Sequence, residues 1–331
     1  MIKALPAKRY LALSGGVGGA KLALGLSKIL APEQLTIVAN TGDDFEHLGL
    51  SISPDLDTVM YTLAEINNKE LGWGLAGESW DTMDALARLG GETWFRLGDR
   101  DLATHLQRST LLASGVNLSG VTQSLCQQLG IIHPIIPMSD DPVRTCVKTD
   151  KGHLAFQQYF VREQCTPEVE GFYFDRIESA KPQPQMMDLL AGDELAAIII
   201  CPSNPFVSVD PILRLANVKD AMRNNSAPVI AISPIVAGMA IKGPAAKMMS
   251  ELGMPATAAE VARFYGNLID GFVLDESDYG LKSEIEQCGI HVHCTNTIMK
   301  TLDDRIDLAK DVLSFIDSID DKTNKKKKEN L

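Results

Sequence analysis

Three features that are missing from this 331-residue sequence each exclude a class of protein. No C-x-x-C pair occurs among the six scattered cysteines, which argues against a disulfide framework and favours a reduced, cytoplasmic protein. No apolar run approaches the length of a membrane span, and the N-terminus lacks a signal-peptide core. Positive charge is in deficit: the formal net charge is −12, so no global field attracts nucleic acid or an anionic membrane.

The sequence also lacks the paired ligand spacings of a structural zinc site. Its best cluster of potential ligands is CGIHVHC, which holds Cys288, His291, His293 and Cys294. In a strand the two histidines would point to one face and Cys294 to the other, so the ligands would be split. We therefore predict a strand at this position and no zinc site.

Six short apolar runs end abruptly in polar, glycine or proline residues. Their continuous apolar character, without alternation, is typical of strands buried on both faces of a parallel sheet. Helical patterns lie between many of them, for example at 21–30, at 258–268 with Thr257 as N-cap, and at 304–319. We predict a Rossmann-like, three-layer, doubly wound α/β fold with a mostly parallel sheet. The six runs are YLALS (10–14), LTIVAN (35–40), LAAIIIC (195–201), PVIAIS (228–233), GFVLD (271–275) and IHVHC (290–294).

Two regions interrupt this alternation, and we interpret both as insertions into one domain, 1–320. Residues from about 57 to 129 are mostly helical in pattern. Residues from about 142 to 176 show alternating strands with a turn at Lys151-Gly152, which predicts β-hairpins. The last residues, 321–331, are rich in lysine and are predicted to form a disordered tail.

The first predicted strand runs into GGVGGAK, a glycine-rich turn before a helix. Lys21 stands where a G-x-G-x-x-G fingerprint needs its third glycine, and Ala20 and Leu22 replace P-loop residues. Glycines at this place still let the backbone approach an anion at a helix N-terminus. The alternative is a tight turn that binds nothing. The four glycines are Gly15, Gly16, Gly18 and Gly19.

The segment NTGDDFEHLGLSISPDLDT (40–58) holds two acidic pairs. Asp43 and Asp44 follow a predicted strand, whereas Asp55 and Asp57 lie in a loop before a helix. Two turns with helix caps, with Asp57 as N-cap, would explain them simply. Beside a phosphate-binding turn they also suit Mg²⁺, which binds one or two carboxylates together with substrate phosphates. The residues alone leave both interpretations open.

Two further polar motifs lie at an expected helix start and at the end of another apolar run, and ligands of doubly wound folds bind at the carboxyl ends of strands. WFRLGDRDLATHLQR (94–108) supplies Arg96, Arg100, His105 and Arg108. Its simplest interpretation is a charged helix start with Asp101 near the cap. The alternative is a set of guanidinium groups that bind phosphate or a polar ring edge. MSDDP (138–142) adds two acidic residues.

These motifs together resemble the 2-phospho-L-lactate transferase family of deazaflavin-coenzyme F-420 biosynthesis, in order from about Tyr10 to Asp278. The resemblance implies transfer of a phospho-three-carbon-acid group from its guanosine diphosphate conjugate to the ribityl hydroxyl of the deazaflavin Fo. GMP leaves, and magnesium takes part. The acid (lactate, enolpyruvate or glycerate) stays open. The motifs are GGVGGAK, NTGDD, SPDLDT, LGDRDLATHL, MSDDP, PSNP and SPIVAG…KGPAAK.

The same resemblance implies roles for single residues and a homodimeric assembly. Asp57 and Arg96 match the family's Fo contacts. Asp43, Asp44 and Asp55 are the positions assigned to magnesium and catalysis, without separating metal ligand from general base. The four glycines match the phosphate-binding turn, and Ser203 and Asn204 match a loop that meets the nucleotide.

Two other functions compete with this one. A non-catalytic regulator of the gluconeogenesis-factor type, which binds nucleotide sugars, has a similar glycine turn. PDLDT and LGDRDLATH favour the transferase over it. A dinucleotide-dependent oxidoreductase is disfavoured by Lys21 and by the lack of the usual acidic residue after the second strand. Small-molecule substrates are therefore the expected partners, and nucleic acid and membrane are not.

Overall fold

The computed structural model describes residues 8–241 and 243–329, the last ten of these as helical backbone only. The strands are β1 (Arg9–Ser14), β2 (Leu35–Ala39), β3 (Phe45–His47), β4 (Leu50–Ile52), β5 (Ile135–Pro137), β6 (Arg144–Thr149), β7 (Gly152–Ala155), β8 (Val169–Asp175), β9 (Leu195–Ile200), β10 (Val229–Ile232), β11 (Ile235–Val236), β12 (Met239–Ala240), β13 (Gly271–Asp275) and β14 (His291–Thr295). The helices are α1 (Val17–Ser27), α2 (Pro54–Leu63), α3 (Asp81–Arg88), α4 (Asp99–Ala113), α5 (Leu118–Gln128), α6 (Pro184–Ala191), α7 (Asp210–Arg214), α8 (Val218–Asn224), α9 (Ala245–Glu251), α10 (Ala258–Tyr265), α11 (Lys282–Glu286) and α12 (Leu302–Glu329).

A seven-stranded parallel sheet forms the centre of the fold, in the order β14-β13-β10-β9-β1-β2-β5. All six predicted strands belong to it, and β5 is the seventh. Successive residues of β1 enter opposite apolar layers: Leu11 and Leu13 pack on one side, and Tyr10 and Ala12 on the other. The predicted three-layer, doubly wound α/β fold is therefore confirmed.

The strand order changes direction between β1 and β9. From β1 the chain proceeds outward through β2 and β5, and from β9 it proceeds the other way through β10, β13 and β14. The connections after β1 and β9 therefore diverge to opposite faces and leave a crevice at the carboxyl ends of these strands. Ligands of open α/β sheets bind in such a crevice.

Helices α2 to α5 occupy most of the region predicted as helical, and a short antiparallel hairpin, β3–β4, precedes them. The second interruption is a three-stranded antiparallel sheet in the order β7-β6-β8. Its tight turn lies at Asp150-Lys151, one residue before the predicted position, and Gly152 begins β7 with a φ of +107°.

Thr257 caps α10 by accepting a hydrogen bond from the backbone N–H of Glu260, as predicted. Helix α1 begins at Val17, four residues before the predicted start. Across residues 8–241 and 243–329, none of the helices is both long enough and apolar enough to cross a membrane. The six cysteines are all unpaired. The tail predicted at 321–331 stays a prediction, because residues 320–329 are described only as helical backbone and 330–331 lie outside the described residues.

Candidate active site

The glycine turn after β1 packs directly against the loop after β9. The backbone N–H of Gly15 donates to Ser203 Oγ at 3.0 Å. A Cβ atom on Gly18 would lie 2.1 Å from the carbonyl oxygen of Pro202, and one on Gly19 would lie 2.6 Å from Ser203 Oγ. Glycine therefore permits the close approach of two segments that are about 190 residues apart in sequence.

Helix α1 begins at this turn, and its N-terminus faces the crevice between β1 and β9. Gly16 is the N-cap and supplies no side-chain hydrogen bond, so the first N–H groups of the helix remain open to an anion. Asn204 shapes the facing loop, because its side chain accepts from the N–H of Phe206 at 3.0 Å. The structure thus brings the four predicted glycines together with Ser203 and Asn204.

Asn40, directly after β2, contacts one member of each acidic pair, Asp43 and Asp55, which are separated by 12 residues in the sequence. Its Nδ2 donates to Asp55 Oδ2 at 2.9 Å and lies 3.4 Å from Asp43 Oδ1. Asp55 also lies against the glycine turn, since a Cβ on Gly16 would be 2.7 Å from Asp55 Oδ1. Gln157 Nε2 donates to Asp43 Oδ2 at 3.2 Å. The carboxylates of Asp43 and Asp55 therefore meet beside the N-terminus of α1.

Asp44 completes the acidic group. Ser53 Oγ donates to its Oδ2 at 2.8 Å, whereas its Oδ1 is buried without a hydrogen-bond partner. Burial raises the pKa of Asp44 and of Asp55 to about 7, although the hydrogen bonds from Ser53 and Asn40 oppose the rise. Burial, together with repulsion from Asp55 and Asp44, holds the pKa of Asp43 well above its usual value.

These oxygen ligands, whose negative charge nearby Arg144 offsets only in part, suit a hard cation such as Mg²⁺. In the described part of the chain, no three His, Cys, Asp or Glu side chains converge closely enough to hold a metal ion by themselves. A cation would therefore take one or two carboxylates and complete its shell with water and substrate oxygens, as Mg²⁺ commonly does. The carboxylates of Asp43 and Asp55, which both lie at Asn40 Nδ2 beside the glycine turn, are the observation that fits such a group best.

Asp57 belongs to a separate buried network that joins α2 to α4. It lies in the first turn of α2 and is not the N-cap, and both of its carboxylate oxygens accept from the guanidinium of Arg108. His105 Nδ1 lies 3.1 Å from Arg108 Nη1, and His105 Nε2 lies 3.3 Å from Asp101 Oδ2. Tyr61 donates to Asp101 Oδ1 at 2.6 Å. The N-cap prediction for Asp57 is therefore wrong, whereas Asp101 near the start of α4 is confirmed.

Arg96 lies on an aromatic surface. Its exposed guanidinium stacks over the ring of Trp80 at 4.3 Å from the centroid. Nearby, Phe45 packs edge-on against Phe95, with 4.8 Å between ring centroids, and lies 6.0 Å from Trp94. Arg96 thus contacts Trp80, whereas Asp57 pairs with Arg108. The predicted contacts of Asp57 and Arg96 with Fo stay predictions.

A cleft opens beside Asp44, between the β3–β4 hairpin, the N-terminus of α5 and the first residue of β6. Arg144, which starts β6, lines it, although no local sequence pattern singled out this residue. The hairpin pattern predicted the strand and gave no signal for a functional side chain. The lining residues are Thr41, Asp44, Phe45, Ser51, Ile52, Ser53, Leu112, Leu118, Asp140, Asp141, Pro142 and Arg144.

Comparison with known proteins gives consistent matches over nearly the whole chain. Residues 11–302 match the family model described as 2-phospho-L-lactate transferase CofD. A phosphoenolpyruvate transferase of Streptomyces griseus is 38% identical over 317 residues, which cover 94% of this chain and 99% of the relative. A 2-phospho-L-lactate transferase of Methanosarcina mazei is 35% identical over 300 residues, which cover 91% and 98%.

Among solved structures, a UPF0052 family member from Bacillus halodurans has a similar fold. Its TM-score is 0.59 at 13% sequence identity, and the match covers 94% of this chain and 100% of that chain. At this level of identity the likeness concerns the fold alone. It supports the parallel sheet and its flanking layers.

Proposed function

The chain belongs to the 2-phospho-L-lactate transferase CofD family, and on that premise we propose that it transfers a phospho-three-carbon-acid group to the ribityl hydroxyl of Fo. The donor is the guanosine diphosphate conjugate of 2-phospholactate, phosphoenolpyruvate or phosphoglycerate, and the leaving group is GMP. One observation carries the proposal: an open helix N-terminus lies beside buried carboxylates at the point where the strand order reverses.

The crevice between β1 and β9 is the proposed place for the diphosphate. The N–H groups at the start of α1 would donate to its oxygens, and the helix dipole favours its negative charge. Ser203 keeps the turn in place through its hydrogen bond with Gly15. Positioning of this kind supplies much of the catalysis in phosphoryl transfer.

The reaction exchanges one P–O bond for another. The ribityl oxygen bonds to the phosphorus that carries the three-carbon acid, the bond to the bridging oxygen of GMP breaks, and the hydroxyl loses its proton. We assign that proton to Asp44, because it lines the cleft, has a free Oδ1 and has a pKa of about 7. We assign Asp43 and Asp55 to Mg²⁺, which would supply charge neutralisation at the diphosphate.

Products separated by mass test this proposal. Fo is mixed with each of the three guanylylated acids in turn, with Mg²⁺, and we expect a phosphodiester and GMP from at least one. Excess EDTA is expected to abolish turnover and added Mg²⁺ to restore it, whereas full activity in EDTA would contradict the metal assignment. Tight binding of the conjugates or of nucleotide sugars without any product would favour the non-catalytic regulator instead.

The assembly is also part of the proposal. Cyclic dimers are the commonest soluble oligomers, and we expect a homodimer. Sedimentation equilibrium should give twice the 35.9 kDa mass of one chain. A mass of 35.9 kDa at micromolar concentration would contradict it.

A further inference from the structure

The cleft beside Asp44 has an excess of acid, although the proposed donor brings a further carboxylate. Asp44, Asp140 and Asp141 line this cleft, and Arg144 is the one basic side chain among its described lining residues. A carboxylate that leaves water needs a cationic or hydrogen-bonding partner to offset its lost hydration. Arg144 is therefore the lining residue whose charge could offset that of the donor's carboxylate.

The other two acidic residues of the cleft wall are already engaged by backbone and amide groups. Asp140 accepts from the N–H of Ser119 at 2.6 Å and from Asn117 Nδ2 at 2.8 Å, at the N-terminus of α5. Asp141 Oδ2 accepts from the N–H of Lys181 at 2.8 Å. Both carboxylates thus hold loops together, and neither takes the guanidinium of Arg144.

Arg144 keeps most of its donors available. The strand register places it opposite Asp175, where cross-strand ion pairs commonly form, yet the partner of Asp175 is Arg176, at 3.7 Å. Arg144 Nη1 donates to the carbonyl oxygen of Val143 at 2.8 Å. Its charge acts on Asp43 and Asp44 from a distance, but within the described ranges neither carboxylate forms an ion pair or hydrogen bond with it. A guanidinium has five N–H donors, so most remain for a ligand.

The β-sheet insertion positions this side chain against the acidic group. The N–H of Thr145 donates to the carbonyl oxygen of Gly42 at 2.5 Å, which docks the start of β6 on the turn after β2. Gln157, also from the insertion, donates to Asp43. Arg144 therefore stands at a docked strand end beside the proposed reaction centre.

We infer that Arg144 binds the carboxylate of the three-carbon acid while the glycine turn holds the phosphates. This inference rests on the proposed function for the identity of the donor. The planar fork of a guanidinium matches the two oxygens of a carboxylate, which an ammonium group cannot do. Lactate, enolpyruvate and glycerate all carry that carboxylate, so Arg144 selects the class of acid and does not choose among the three.

Calorimetric titration without Fo tests the inference, because no turnover then occurs. The probes, in buffer with Mg²⁺, are GDP, the ethyl ester of GDP and the 2-phospholactate conjugate. In Arg144→Gln we expect the conjugate to bind about tenfold or more weakly, with GDP and its ethyl ester unchanged. Arg144→Lys should show a smaller loss. Arg176→Gln removes one positive charge from the residue that follows β8 of the same three-stranded sheet and should change none of the three affinities.

Every other outcome overturns either the inference about Arg144 or the proposed function. An equal loss for GDP and the conjugate would mean that Arg144 binds phosphate, and an unchanged conjugate affinity would mean that it binds neither; both overturn the inference alone. Circular dichroism and urea denaturation show whether a variant is folded, and Arg144→Lys replaces Arg144→Gln only if the latter is unfolded by these measures. A wild-type chain that binds no conjugate and forms no product would overturn the proposed function, and the inference with it.

Discussion

At the scale of single residues, the buried carboxylates fall into two groups that differ in their partners. Asp57 has a counter-ion in Arg108, which opposes the rise in its pKa that burial causes. Asp43, Asp44 and Asp55 form no ion pair among the described residues: they accept from amide and hydroxyl groups, and burial raises the pKa of all three although the charge of Arg144 opposes the rise for Asp43 and Asp44. A bound cation would therefore relieve the second group and leave the first unchanged.

The first prediction concerns pH. The unfolding free energy of the metal-free chain should fall as the pH rises from about 4 to about 7. Asp44 and Asp55 have pKa values of about 7 in the folded chain, above the ordinary value of about 4, so the folded chain binds more protons in this window. Each carboxyl contributes at most about 1.4 kcal/mol per pH unit. Urea denaturation in EDTA at several pH values measures the slope.

Two comparisons separate the contribution of these carboxyls from the titration of the rest of the chain: an Asp44 variant, and the addition of Mg²⁺. Asp44→Asn should reduce the slope of unfolding free energy against pH, because one carboxyl with a raised pKa is removed. Mg²⁺ should increase the unfolding free energy at pH 8 more than at pH 5, since it binds ionised carboxylates. A slope that is the same in Asp44→Asn and wild type would show that Asp44 keeps an ordinary pKa.

The second prediction concerns the buried ion pair. Asp57→Asn should lower the unfolding free energy by about 3–5 kcal/mol, because it leaves the charge of Arg108 buried without a counter-ion. The control is Glu260→Gln, which removes one of the two carboxylate partners of the surface residue Arg263, the other being Glu284, and should change little. Urea denaturation compares the two. Similar small changes would contradict a structural role for the Asp57–Arg108 pair.

The places of the candidate site residues, at strand ends and helix starts, were predictable from the sequence, but their partners were not. NTGDD and SPDLDT show acidic residues at a strand end and a helix start, because these motifs are local. The partner of Asp57 lies 51 residues away, on another helix, and Arg144 reaches the cleft through an inserted sheet. Such pairings depend on tertiary packing, for which neither motif nor periodicity gives a signal.

At the scale of elements, the start of α1 shows why tertiary contacts override local preference. The pattern predicted a start at Lys21, since glycine is unfavourable within a helix. The helix begins at Val17 because Gly18 and Gly19 pack against the loop after β9. The six core strands, in contrast, were predictable from local sequence, because burial on both faces requires a continuous apolar run.

The third prediction tests this packing. Gly18→Ala should lower the unfolding free energy by about 1–3 kcal/mol, because its Cβ would lie 2.1 Å from a backbone oxygen of Pro202. The intrinsic helix preference of alanine over glycine, up to about 1 kcal/mol, is too small to compensate. Gly280→Ala is the control, since its Cβ would meet nothing within 4 Å. Equal unfolding free energies for both variants would show that the β1–α1 turn is loosely packed.

At the scale of the whole molecule, the site combines three parts of the chain. The core sheet supplies the glycine turn and the facing loop, where the strand order reverses. The helical insertion holds the Asp57–Arg108 pair, and the β-sheet insertion adds Arg144 and Gln157. The doubly wound core thus supplies the proposed anion site, and the two insertions add the carboxylate and guanidinium groups around it.

The fourth prediction follows from this arrangement. GDP should slow amide hydrogen exchange in segments 15–20 and 202–208, which meet at the crevice, and leave edge strand β14 nearly unchanged. A ligand at about 100 times its Kd stabilises the bound state by about 2.7 kcal/mol, which slows exchange about 100-fold wherever opening releases the ligand. Edge strands exchange through local fraying that leaves the ligand bound, so β14 serves as the internal control. Protection of β14 equal to that of the glycine turn would place the nucleotide away from the crevice between β1 and β9.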